Sequence, residues 1–113
     1  MSAINSNDSA KIQALDSRAI NTTLGLQYFN NNHTLYLKIL KSFRERHEGL
    51  NLNNLDTEEL RNTLHTLKGL TGTLGMEPLT KIIQQIEKTI NKSLIKVFEQ
   101  ELTTVIREIK EIS

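Results

Sequence analysis

The stretch Leu64-His65-Thr66-Leu67-Lys68-Gly69-Leu70-Thr71-Gly72-Thr73-Leu74-Gly75 holds the side chains best suited to chemistry in this 113-residue chain. Imidazole titrates near pH ~6.5, so a histidine that meets water is largely neutral at pH 7 and can act as a nucleophile. Lys68 follows His65 by three positions, which on a helix places both on one face. Its ammonium would neutralise part of the charge of a phosphoryl group arriving at the ring. Three of the five glycines lie here, two of them inside a segment otherwise patterned as a helix. Each interior glycine costs about 1 kcal/mol relative to alanine, so a packing or functional reason is needed. Gly69, one turn after His65, would let another macromolecule approach the ring over bare backbone. Gly72 would allow two helices to pack closely.

The other polar residues carry less. A lone histidine on a helix is ordinarily a solvated surface group, and His33 and His47 read that way. His47 falls near a helix C-terminus, where positive charge is favoured. On one helix these two would stand about 21 Å apart at 1.5 Å per residue, too far to share a metal. Asp56-Thr57-Glu58-Glu59 reads as a helix cap rather than a cation site. Without cysteine there is no disulfide framework, Cys-ligated zinc site or thiol nucleophile. No Walker loop or glycine-rich strand–turn–helix occurs, so no nucleotide site is expected. The net charge of +1 offers no broad electrostatic footprint for nucleic acid or anionic lipid. No apolar run is long enough to span a membrane, and no signal peptide is evident.

The elements that must position His65 are helical. Leucine (17 copies) and isoleucine (12) dominate over two valines and one proline, an inventory that suits helices. Residues 1–14 are small and polar and predict a disordered lead-in or linker; residues 15–113 form the domain. Asp16 is placed to cap a short first helix that carries Ala19 and Ile20 and extends to Leu24. A second helix follows Asn30-Asn31-Asn32, with Leu35, Ile39, Leu40 and Phe43 inward and Gly49 at its close. The third starts at Asp56, with Glu59 completing a capping box. It carries the stripe Leu60, Leu64, Leu67, Thr71 and Leu74 up to Gly75, with His65 beside the stripe rather than in it. Pro78 opens the fourth, with Leu79, Ile82, Ile83, Ile86 and Ile90 inward. The fifth begins near Asn91–Ser93 and buries Phe98, Leu102, Val105, Ile109 and Ile112. This pattern predicts an all-α antiparallel up-and-down four-helix bundle with a short additional N-terminal helix across one end. Leu24, Leu26, Tyr28 and Phe29 read as core or end-packing, and any that are exposed would suit a partner-docking patch.

His65-Thr66-Leu67-Lys68-Gly69, followed by Gly72 and Leu74-Gly75, resembles the signature of histidine-containing phosphotransfer (HPt) domains. Leu26 through Tyr36, Leu40 and Phe43 resemble the entry to the second helix of such domains at the ends of hybrid sensor histidine kinases. The likeness covers roughly Leu15 to Ile90, and the last helix fits by pattern. The resemblance implies that His65 accepts a phosphoryl group, at Nε2, from the aspartyl phosphate of a response-regulator receiver domain. It would then pass the group to another receiver aspartate. The domain would be a phosphocarrier with no ATP site and no cofactor of its own. Mg²⁺ would come from the receiver. The parent protein would be a kinase of the two-component class, acting in the cytoplasm or at the cytoplasmic end of a membrane-bound sensor. The isolated domain would be a monomer without direct membrane or nucleic-acid contact.

If the chain reverses near Met76, positions equally far from that turn face each other. His65 lies ten residues before Gly75, and Glu87 ten after Glu77. Glu87 would therefore sit beside His65 and accept a hydrogen bond from Nδ1, fixing the tautomer and leaving Nε2 free. HPt domains often carry Gln or Glu at the matching place. Gln84, one turn nearer the bend, is a second candidate. Two rival readings stand beside the relay. One is the substrate domain of a chemotaxis-type kinase, phosphorylated directly by an ATP-binding domain outside this sequence. The other is a non-catalytic helical adaptor bundle.

Overall fold

A computed structural model describes residues 6–113 and contains six α-helices and no strand among them. In order they are α1 (Ser6–Leu15), α2 (Thr22–Tyr28), α3 (His33–His47), α4 (Thr57–Thr73), α5 (Glu77–Lys88) and α6 (Lys92–Ile112), with a 3₁₀ turn at Leu52–Asn54 before α4. The four long helices α3 to α6 make the bundle. α5 packs between α4 and α6, α3 lies against α6, and α1 rests on α3 and α6.

The start of the chain differs from expectation. Residues 1–5 lie outside the described residues, but Ser6–Leu15 is helix rather than lead-in. Ile12 and Leu15 are buried, and the Thr34 hydroxyl donates to Asp8 at 2.7 Å. One apolar residue per turn is enough to seat α1 on a bundle already formed, yet too few to give a periodic signal in a polar segment. Asp16 does not cap a helix through Ala19 and Ile20. Its carboxylate accepts from the Thr22 amide at 3.0 Å and the Thr22 hydroxyl at 2.9 Å, while Asn21 caps α2 through the Leu24 amide.

The remaining starts follow the side chains expected. Asn32 caps α3 after Asn30 and Asn31, both in the left-handed region. Asp56 and Glu59 form the reciprocal capping box of α4, Pro78 occupies the first turn of α5, and Asn91 caps α6. Two residues assigned inward face water instead. Leu35 is 40% exposed because the buried face of α3 runs Tyr36, Leu40, Phe43. Ile90 is 51% exposed because α5 ends at Lys88, so helical spacing no longer directs it.

The α4–α5 hairpin sets the geometry of the site. α4 ends in a Schellman motif: the Met76 amide donates to the Thr71 carbonyl at 2.9 Å and the Gly75 amide to that of Gly72. Gly75 sits at φ +82°, and a Cβ there would stand 2.1 Å from the Asn21 carbonyl oxygen. α2 crosses this end of α4 at Gly25. The buried Tyr36 hydroxyl donates to the Leu74 carbonyl at 2.8 Å directly beneath it. Burial, with the nearby Asp16 carboxylate adding to it, pushes the Tyr36 phenol well above its ordinary pKa, so it remains a donor.

Candidate functional site

His65 stands on the outer face of α4, flanked in sequence by Leu64, which is 1% exposed. Its ring makes no hydrogen bond or ion pair with any described residue. Gly69 and Gly72 continue along this helix, and a Cβ on either would meet nothing within 4 Å. Gly72 therefore does not serve close helix packing. The α5-facing position is Thr71, fully buried, whose hydroxyl lies 2.7 Å from that of Thr80, which donates on to the Met76 carbonyl. The result is a smooth strip of backbone running about 10 Å from His65 to Gly72 at 1.5 Å per residue.

Lys68 and Glu87 meet across α4 and α5, Nζ to Oε1 at 3.0 Å. Glu87 makes no hydrogen bond to His65, so the Nδ1 contact expected from the hairpin symmetry is replaced by this pair. Side chains on a helix lean toward its N-terminus. Lys68 thus leans back along α4, and its ammonium is the group that takes the carboxylate. Gln84 is exposed on α5 and bonds no described residue, His65 included.

The two other histidines are engaged elsewhere. Nδ1 of His33 lies 2.9 Å from the Asn31 carbonyl. His47 is half-buried rather than a plain surface group: its ring packs 4.6 Å from that of Phe43, and Nδ1 donates to the Phe43 carbonyl at 2.9 Å. Burial pushes the His47 pKa below its ordinary value despite that carbonyl, and Arg46 adds to the fall.

One hollow, about 530 Å³, is walled by Glu48–Asn51 and α6 and includes nothing from α4. Its Glu48 and Lys110 are already paired with each other. A second hollow, about 500 Å³, lies between α4 and the end of α5 and is lined by Arg61, Leu64, Ile86, Glu87, Lys88 and Ile90. Arg61 was not singled out from the sequence, although its place four residues before His65 was the signal for it. Among the described residues no group of His, Cys, Asp or Glu could hold a metal ion, and no helix is long and apolar enough to cross a membrane.

The exposed, unbonded histidine on a bundle helix, followed by lysine and open backbone, leaves its ring accessible to another macromolecule. The sequence profile described as the Hpt domain matches residues 35–113, which covers α4, α5, α6 and nearly all of α3. The chain belongs to the HPt family. No curated protein and no solved structure matches it. HPt domains act in phosphotransfer within two-component signalling and interact with response-regulator receivers. Within this HPt domain the Lys68–Glu87 pair and the open strip beside His65 lie in the matched region. α2, which braces the C-terminal end of α4, and α1, which rests on α3 and α6, lie before it.

Proposed function

We propose that this HPt domain is a phosphorelay intermediate and that His65 is its phosphoacceptor. Nε2 attacks the phosphorus of a receiver aspartyl phosphate, the N–P bond forms as the acyl O–P bond breaks, and the aspartate leaves as carboxylate. A second receiver aspartate reverses the step. Mg²⁺ held by the receiver would supply charge stabilisation that this domain lacks. Lys68 neutralises phosphoryl charge once it leaves Glu87, and Gly69 admits the partner's loops. Glu87 acts through Lys68 rather than through the ring. The relay would operate in the cytoplasm, with the domain as a module of a hybrid sensor kinase.

The observation that carries this reading is the ring of His65, exposed and unbonded above Gly69 and Gly72, where a Cβ would touch nothing. The test offers the domain a phosphorylated receiver with Mg²⁺ and assays acid-labile, alkali-stable phosphate. Wild type should take up label and His65→Gln none. Label retained by the variant would remove His65 from the mechanism.

A further inference from the structure

Two cations bracket His65 on α4: Lys68 three residues after it and Arg61 four before it, both within a helical turn of the ring. They differ in what holds them. Lys68 is tied to Glu87 at 3.0 Å, whereas Arg61 is exposed and makes no ion pair or hydrogen bond with any described residue. Arg61 stands on the rim of the 500 Å³ hollow, whose wall reaches Leu64, the residue before His65, but not His65 itself. The buried Leu64 and Ile86 form its apolar floor, and Ile90, 51% exposed, stands on its wall with Lys88. The one carboxylate there, Glu87, is already neutralised by Lys68, so the rim presents net positive charge around an apolar centre. That surface complements one with a carboxylate edge beside an apolar side chain.

We propose that this hollow seats the acidic edge and an adjoining apolar side chain of the receiver domain, and that Arg61, not Lys68, is the cation that draws the receiver in. The proposal rests on the phosphotransfer reading, because the Mg²⁺ that the receiver would bring is held by carboxylates next to the phosphoryl group. Arg61 governs encounter and partner choice, Ile90 contributes buried contact, and Lys68 is left for the phosphoryl group. An exposed rim charge acts mainly on the association rate and its salt dependence, and an apolar contact does not.

The test measures single-turnover transfer from a purified receiver, phosphorylated with acetyl phosphate and Mg²⁺, across a range of domain concentrations. Labelling of the same proteins by phosphoramidate, which needs no docking, runs in parallel. Arg61→Ala should lower the ratio of receiver-dependent to phosphoramidate labelling by about 3–10-fold at low salt, through half-saturation rather than the limiting rate. Arg61→Glu should lower it further, and Arg61→Lys should recover most of it. The deficit should shrink as ionic strength rises past ~0.1 M, where the screening length is about 10 Å. Ile90→Ala should weaken half-saturation with no salt dependence. Arg107→Ala, which removes an equal charge on α6, should leave the ratio at the wild-type value. Equal ratios for wild type and Arg61→Glu, or an equal loss in Arg107→Ala, would overturn the docking proposal. Absence of phosphoramidate label on wild-type His65 would instead overturn the phosphotransfer reading on which it stands.

Discussion

Replacing Glu87 by glutamine separates two mechanisms that assign this carboxylate opposite effects. In the structure Glu87 holds the Lys68 ammonium at 3.0 Å, with the two side chains 26% and 35% exposed. A pair this open to water is worth only about 0.3–1 kcal/mol. Glu87→Gln should therefore lower Tm by no more than a few degrees, on a scale of roughly 4–8 °C per kcal/mol for a small domain. The same pair must break before the ammonium can turn to a phosphoryl group on His65. Removing it returns up to ~1 kcal/mol to the transition state, a rate gain of about 2–5-fold at 1.4 kcal/mol per factor of ten. The assay is rapid-quench transfer from a phosphorylated receiver at saturating domain, with thermal melts on the same samples. In a Lys68→Ala background the Glu87→Gln gain should vanish, since the two residues act as a unit. Were Glu87 instead to orient the imidazole, its loss would slow transfer by ~10-fold or more, as removal of an orienting partner does. A slowdown of that size would refute the role assigned here.

Three further outcomes follow from the packing. Gly25→Ala would set a Cβ 2.6 Å from the Tyr36 hydroxyl oxygen and 2.7 Å from the Leu74 carbonyl oxygen; overpacking of this kind costs about 1–3 kcal/mol, and an unchanged melting temperature would contradict the packing described. Gly69→Ala meets open space and should stabilise α4 by about 1 kcal/mol, while Gly69→Leu should impair receiver-dependent transfer without loss of fold. His47, whose folded pKa is lowered by burial, binds a proton less readily in the native than in the unfolded state. Stability should thus fall as pH drops below about 6.5 and level off beneath the native pKa. Chemical denaturation of His47→Gln should show a flatter slope over that window.

Much of this architecture was legible because local signals and tertiary packing agree. Asp56 and Glu59 announce a capping box that the structure forms, and Asn32 and Asn91 start helices where asparagine is favoured. His65 beside a leucine stripe follows from helical spacing alone. What stayed hidden depends on contacts between distant segments. α1 has too few apolar residues to announce itself, and Gly25 matters only because Tyr36 and the end of α4 converge on it. Reflection about the hairpin turn brought Glu87 to this side of α4 but gave it the wrong partner, since it pairs with Lys68. The backward lean and reach of Lys68 decide that, and neither is a matter of sequence separation. Arg61 escaped notice because the hollow it lines is built from α4 together with the end of α5, and only the folded chain brings these together.

The most direct measurement is chemical phosphorylation of the wild-type chain with phosphoramidate, followed by ¹⁵N-resolved NMR of its three imidazoles. The account predicts an N–P bond at Nε2 of His65, with His33 and His47 unmodified. A phosphoryl group on either of those rings in preference to His65, or no phosphohistidine at all, would contradict it.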